Sequence, residues 1–493
     1  MSIVKVNNMT FGYDGSYDLI FDNVSFQMDT DWKLGFTGRN GRGKTTFMKL
    51  LLGKYEYRGT ISSSVAFDYF PFEVKEDNML TVHVLEDVCP AFEQWQLEKE
   101  LSLLGVDDEV LYRPFNTLSQ GEQTKVMLAA LFLKENQFLL IDEPTNHLDV
   151  EGRKIVSDYL RSKKGFILVS HDRLFLDACI DHILTINKTD IIVQKGNFSS
   201  WYLNKTREDQ NEINENEKLK KDVKRLMTAM KRTAKWSDDV EATKIGFGPC
   251  DRGAIGAKAA KMMKRSKAIE TRQTKVLEDK SKLLKNIEQS FPLAIQAQDY
   301  FRERLFHFED VVVSYGESKV NQPVTFAVNR GERIAITGFN GSGKSSLLKL
   351  MTNEDIAYSG RLEKGTRLKV SYVSQNTAAL SGDLSTYAKE RGIDEGQFKT
   401  ILHKMDMSQI QFEKDMSAFS EGQKKKVLIA ASLCEKANIY IWDEPLNYVD
   451  VLSRIQIEEA ILSYRPTMIF VEHDKTFVSR IATKVVDVVS VVN

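Results

Sequence analysis

The chain is poor in everything that would place it in a membrane or outside a cell. Across 493 residues no uninterrupted apolar run approaches the ~20 residues a membrane-spanning helix needs. The longer ones, such as Phe138-Leu139-Leu140-Ile141, have the length of buried parallel strands. The start, MSIVKVNNMTFGYDG, has no basic segment followed by a long apolar stretch, so no signal peptide is expected. Cysteine is scarce. Cys89, Cys179, Cys250 and Cys434 stand apart without metal-ligand spacing, which predicts free thiols in a reducing cytoplasmic setting; with no spanning segment, no membrane partner is expected. Net charge is nearly absent as well, at −1. That balance conceals an uneven distribution. Residues 205–290 hold about 22 Lys/Arg against about 14 Asp/Glu, so the flanking regions are acidic and any polyanion should meet the middle first.

What the chain has is a repeat. Lys44 of GRNGRGKTT and Lys344 of GFNGSGKSS lie 300 residues apart. Ser119 of LSQGEQ and Ser420 of FSEGQK lie 301 apart, as do Glu143 of LLIDEP and Glu444 of IYIWDEP. His171 of VSHD and His473 of VEHD lie 302 apart. Four motifs in one order at one offset mark a tandem duplication. Each copy spans about 200 residues, the size of one α/β domain, so about 100 residues of the offset lie between the copies.

Each copy carries phosphate chemistry. Gly38–Thr45 and Gly338–Ser345 fit G-x-x-x-x-G-K-[ST], each after an apolar strand-like run and before an amphipathic helix. Glycines such as Gly41, Gly43, Gly341 and Gly343 let backbone N–H groups converge on phosphate oxygens at a helix N-terminus. Asn40, Asn340, Thr46 and Ser346 complete these loops. Lys44 and Lys344 should reach the outer phosphates of ATP, and the Thr45 and Ser345 hydroxyls a magnesium ion. Two apolar strands end in paired acids. Asp142 and Asp443 should complete the magnesium shell, and Glu143 and Glu444 should polarise the attacking water.

The order of phosphate loop, LSQGE, acidic strand and histidine resembles the ABC-type ATPases. That resemblance implies two ABC-type nucleotide-binding domains of α/β class, in which each signature closes on ATP held by the other copy. Lys44 and Glu143 would then pair with Ser420 and Gly422, and Lys344 and Glu444 with Ser119 and Gly121; Glu122 and Gln423 of the signatures are further candidate nucleotide-binding residues. His171 and His473 resemble the switch histidines that contact the γ-phosphate. Tyr13 and Tyr315 resemble the aromatic that stacks on adenine, a core role being the alternative. Gln375 of VSYVSQ matches the family's γ-phosphate-sensing, metal-side glutamine, whereas Phe72 stands at that place in the first copy. The second copy also has Tyr448 where the first has His147. Unequal sites follow.

Between the copies, composition favours helix. Two long helices are expected, from Asn204 to about Asp239 and from about Ala257 to Ser290, turning at the glycine- and proline-containing Gly246–Gly253. The domains are therefore expected at 1–203, 204–295 (a helical hairpin linker) and 296–493. The hairpin tip mixes cations with apolar groups: Lys244, Ile245, Phe247, Arg252, Lys258, Met262, Lys264 and Arg265. That mixture suits RNA, through phosphate contacts and stacking. Twin cassettes without a membrane domain, a helical hairpin and KAAKMMKRSKAIE together resemble the ABC-F family. That resemblance implies a monomer whose cassettes close intramolecularly and whose partner is the bacterial ribosome, with the linker near large-subunit RNA, the P-site tRNA and the peptidyl-transferase centre. The short segment between Tyr69 and Leu118 and the early stop after His473 are similar to the Lsa/Vga-type resistance members, which protect ribosomes against lincosamides, pleuromutilins and streptogramin A. A housekeeping translation factor, a transporter's ATPase subunit and a nucleotide-gated module with negligible turnover are the alternatives.

Overall fold

A computed structural model describes residues 2–13, 19–39, 41–90, 92–146, 148–187, 190–242, 264, 292–316, 318–339, 341–352 and 354–491. The chain forms two units. One joins Met1–Trp201 with Phe291–Asn493, and the other is Tyr202–Ser290.

In the first unit both copies show the expected α/β class. The first copy has a six-stranded sheet in the order Ala66–Phe70, Gln137–Asp142, Phe166–Val169, Lys33–Thr37, His182–Asn187 and Asp190–Lys195. All neighbours run parallel except the last pair. The second copy repeats it with five parallel strands: Val370–Val373, Ile439–Asp443, Met468–Val471, Arg333–Thr337 and Lys484–Asp487. The central strands are apolar because helices cover a parallel sheet on both faces; Phe138, Ile167, Ile441 and Phe470 are fully buried. Each copy adds an antiparallel sheet, built on Ile3–Phe11 and on Arg304–Tyr315. In each main sheet the strand before the phosphate loop and the strand ending in two acids flank the strand before the histidine. All three sets of groups thus emerge at one end, where α/β sheets bind ligands.

The helix expected from Asn204 begins at Phe198 and runs 45 residues to Ala242, about 67 Å at 1.5 Å per residue. Its start was missed because Phe198 and Trp201 are buried and pack on each other, which reads as domain core. Leu293 and Ile295, assigned from sequence to the linker, belong to the second copy's core, and the Gln296 and Gln298 N–H groups donate to Leu433 and Ala437. Of the tip residues only Lys264 is described, as exposed helix. Lys244, Ile245, Phe247, Arg252, Lys258, Met262 and Arg265 lie outside the described residues, as do Cys250 and the hairpin turn. Among the described residues Cys89, Cys179 and Cys434 are free and buried. Burial pushes the Cys179 and Cys434 thiols up to about 12, which keeps them unreactive. No described helix is long and apolar enough to cross a membrane.

Candidate functional site

Both phosphate loops are set by backbone geometry. Gly43 caps the helix Lys44–Leu51 with φ 96°, and a Cβ there would lie 2.6 Å from Ile20, so conformation and space both require glycine. The Lys44 ammonium donates to the carbonyls of Gly38 (2.7 Å) and Arg39 (3.2 Å). Lys344 does the same with Gly338 (2.9 Å) and Phe339 (2.8 Å). Each lysine is curled into its own loop, and burial lowers its pKa. The hydroxyl after each lysine meets the strand-end aspartate: Thr45 donates to Asp142 at 3.3 Å, Ser345 to Asp443 at 3.1 Å. Burial raises the pKa of both aspartates, so each favours a nearby cation. A hydroxyl and a buried carboxylate side by side are hard oxygen donors that fit magnesium. Asn40 and Asn340 lie outside the described residues.

Glu143 and Glu444 hold left-handed backbone, with φ 49° and 45°. Glutamate seldom adopts this region, and its recurrence at both strand ends aims each carboxyl in the same way. Each is pinned by its N–H, to Val169 (2.9 Å) and Val471 (3.0 Å), on the strand that leads to the histidine. Glu143 thus comes within 3.2 Å of His171 Nε2, and Glu444 within 3.4 Å of His473 Nε2.

The second copy's loop and the first copy's signature line one cavity of about 800 Å³. Lys344, Ser345, Ser346, Gln375, Glu444, His473 and Tyr315 face Ser119, Gly121, Glu122, Asn146 and Asp149 across it. Of the two expected cross-copy pairings, the cavity brings together that of Lys344 and Glu444 with Ser119 and Gly121. Glu444 is well served there. Gln375 donates to it at 2.9 Å and Asn447 at 2.8 Å. Burial alone would raise its pKa, but the His473 bond and charge, the Gln375 bond and Lys344 together hold it below the usual value. The second site therefore presents an ionised base.

At the first site the opposite copy's charges press in. Lys44 senses Asp450 and Lys426, Glu143 senses Arg454, and His171 senses all three. Lys344 and Glu444 are governed by groups of their own copy. Burial, then the Asp142 charge, push Glu143 up to about 8. His171 is driven well below its ordinary value by burial and by Lys44 and Arg454. A neutral carboxyl thus faces a neutral imidazole near pH 7. Phe72 supplies no bond to Glu143, whose oxygens have, among the described residues, only a poorly aligned contact with the His171 N–H. The Tyr69 hydroxyl, from the strand Ala66–Phe70 just before Phe72, donates to Asp142 at 2.8 Å.

Several expected residues take a more specific place. Ser119 and Ser420 open their signature helices in capping boxes. Glu122 accepts from the Ser119 N–H at 2.8 Å, and Gln423 from Ser420 at 3.0 Å. These two side chains are committed to helix caps, although Glu122 also borders the cavity. Gly422 is buried in its helix. Tyr13 and Tyr315 are both exposed, and their hydroxyls meet Thr46 at 2.9 Å and Ser346 at 3.0 Å, so neither is a core aromatic. Residues that went unnoticed include Tyr69, Lys425, Arg39, Arg42 and Asp406. Lys425, buried, donates to the carbonyls of Ser374 (3.0 Å) and Glu444 (3.1 Å), bracing the Gln375 segment. Thr124 holds its place in the first copy, and that mismatch was the available signal.

The family profile described as "ABC transporter" matches residues 21–146 and 321–447. Over 97% of its length the chain is 27% identical to the ribosome protection protein VmlR of Bacillus subtilis, covering 85% of that protein. It is 26% identical over 98% of its length to ABC transporter F family member 2 of Arabidopsis thaliana, covering 76% of it. Among solved structures, the archaeal ribosome recycling factor in complex with the stalk protein aP1 is similar in fold. Its TM-score is 0.62 at 20% identity, spanning 98% of this chain and 89% of that one.

Proposed function

The chain belongs to the ABC transporter family of ATPases, and from that premise we propose that it is an ABC-F-type factor that uses ATP as a timed clamp on the ribosome. The observation that carries this reading is the cavity in which the first copy's signature faces the second copy's phosphate loop. A nucleotide seated there touches both copies, so it favours the closed arrangement over the open one by its differential contacts. Lys344 would exchange its loop carbonyls for phosphate oxygens, and the N-terminus of the Ser119 helix would face the same anion. Glu444, held ionised, accepts the proton of the attacking water, and His473 orients that carboxylate. Ser345, Asp443 and Gln375, and in the first copy Thr45 and Asp142, would hold magnesium, which neutralises phosphate charge when bound. At the first site Lys44 and His171 would serve a second nucleotide against Ser420, with Glu143 the weaker base.

The target is the ribosome in this reading, with a cytoplasmic protein acting as a monomer. Full-length similarity to a protein named for ribosome protection supports it. So does the 45-residue helix between the copies, which a transporter subunit does not need. The domains proposed are two cassettes with a helical linker between them, and the linker would carry the tip cations and Phe247 to large-subunit RNA and the P-site tRNA. Displacing a drug near the peptidyl-transferase centre would protect against lincosamides, pleuromutilins and streptogramin A, as the Lsa/Vga-type members do.

Two measurements test this. The Glu143→Gln, Glu444→Gln double variant should co-sediment with ribosomes in the presence of ATP; recovery with membranes instead would defeat the reading. Expression in a susceptible host should raise the inhibitory concentration of a lincosamide and a pleuromutilin. Unchanged susceptibility with intact ribosome binding would leave a housekeeping translation factor. Phe247→Ala should remove the protection while ATP binding stays intact.

A further inference from the structure

The two composite sites are joined to the opposite copy by different chemistry. At the first phosphate loop Arg42 reaches Asp406 of the second copy with two bonds, Nη2 to Oδ1 at 3.0 Å and Nε to Oδ2 at 3.3 Å. Arg39 adds a weaker contact at 3.8 Å. Paired guanidinium–carboxylate bonds of this kind are directional as well as strong. By the repeat offsets, Phe339 and Ser342 occupy the places of Arg39 and Arg42, and Gly105 the place of Asp406. No ion pair is possible there, and Phe339 stands 67% exposed.

Asp406 is also an unusual residue for its position. It follows the end of the helix Glu395–Lys404 with φ 66°, and Gly105 follows the helix Gln94–Leu103 with φ 62°. This left-handed position after a helix is ordinarily glycine. Aspartate accepts backbone strain there and delivers a carboxylate to the first phosphate loop. A second one-sided pair reinforces it. Arg173, two residues after the first copy's histidine, bonds Glu458, which is fully buried and also held by Arg480 at 2.6 Å. The corresponding residues are Lys475 and Ser157, again without a pair. Beyond these contacts, Lys426 and Asp450 form a buried pair at 2.7 Å beside the first site. Their counterparts Lys125 and Asp149 line the cavity of the second.

We propose that Asp406 and Glu458 form a one-sided latch that positions the first phosphate loop and its histidine against the second copy. The first composite site then stays engaged and holds its nucleotide while the second opens and exchanges. Asp406 and Glu458 are positioning residues: they touch Arg39, Arg42 and Arg173, not the nucleotide. The inference rests on nucleotide binding at both composite sites and is independent of the ribosome.

The test uses the full chain carrying Glu143→Gln and Glu444→Gln, loaded with N-methylanthraniloyl-ATP and chased with excess ATP. Release should be biphasic, and Lys44→Ala should remove the slow phase. Asp406→Asn should speed the slow phase about tenfold or more, the worth of a charge-assisted bond of about 1.4 kcal/mol. The fast phase should stay within about twofold of the parent, as for a local contact. Arg42→Ser, which installs the second copy's residue, should act the same way, and Asp406→Glu should restore part of the slow release. Equal acceleration of both phases, an unchanged slow phase, or loss of the slow phase on Lys344→Ala would each overturn the latch. A parent protein that binds no probe would overturn the two-site ATP reading beneath it.

Discussion

The second composite site is an open cavity with an ionised glutamate, and the first is a pressed junction with a neutral one. The same motifs build both, so the difference comes from residues between the motif positions. Glu444 has Gln375 and Asn447 to hold its charge. Glu143 has Phe72 at the glutamine position, and burial and the Asp142 charge keep it neutral against the pull of Arg454 from the second copy. Duplicating a catalytic motif therefore does not duplicate the electrostatic field around it. A clamp with one tied jaw can keep the copies associated while the other jaw cycles.

The largest expected contrast is catalytic. Glu444→Gln should lower ATPase turnover by about 100-fold or more, the usual worth of a positioned base. Glu143→Gln should lower it only a few-fold, read by phosphate release. Equal losses would break the comparison.

The next contrast is in stability. Lys426 and Asp450 are buried together, so Asp450→Asn leaves an uncompensated charge and should cost about 3–5 kcal/mol in denaturant unfolding. Asp149→Asn, at the open cavity, should cost under about 1 kcal/mol. The pH course follows from sign. Lys426, its neighbour's charge and bond outweighing burial, holds the Asp450 carboxyl well below the usual aspartate range. Its stabilisation is complete above about pH 4, the unfolded value, and is lost as pH falls through the lower folded value. The gap between wild type and Asp450→Asn should therefore persist from pH 5 to 8 and close in acid.

A third contrast is in pH and rate. Glu143 sits at about 8 and becomes a base only as pH rises through that value. In Glu444→Gln protein, where the first site alone cycles, kcat/KM should climb between about pH 7 and 9. In Glu143→Gln protein it should already be level at pH 7. Smallest of all, Phe72→Gln in the Glu444→Gln background should raise the residual rate about two- to fivefold by supplying one hydrogen bond; no change would mean that the glutamine position does not set the first site's rate.

The phosphate loops, acidic strands, signatures and histidines were legible because their chemistry needs fixed residues at short spacing. Family resemblance also pointed to Ser119 facing Lys344, as the cavity has it. The latch was not legible. Arg42 and Asp406 are 364 residues apart, Arg173 and Glu458 are 285 apart, and neither pair has a local pattern. Both arginines sit at variable places beside the motifs. The repeat held the clue, since aligning the copies sets Arg42 against Ser342 and Asp406 against Gly105. The Phe198 start of the long helix was hidden because buried aromatics signal core whatever the backbone does. The capping roles of Glu122 and Gln423 follow the S-x-x-E/Q pattern and could have been read from it.

The central claim is that the two sites are unequal because the first is tied shut. The most direct measurement is native mass spectrometry of ATP-loaded protein after rapid removal of free nucleotide. A long-lived species with one nucleotide should appear, survive Lys344→Ala and vanish with Lys44→Ala. Simultaneous loss of both nucleotides, or a retained nucleotide that depends on Lys344, would contradict it.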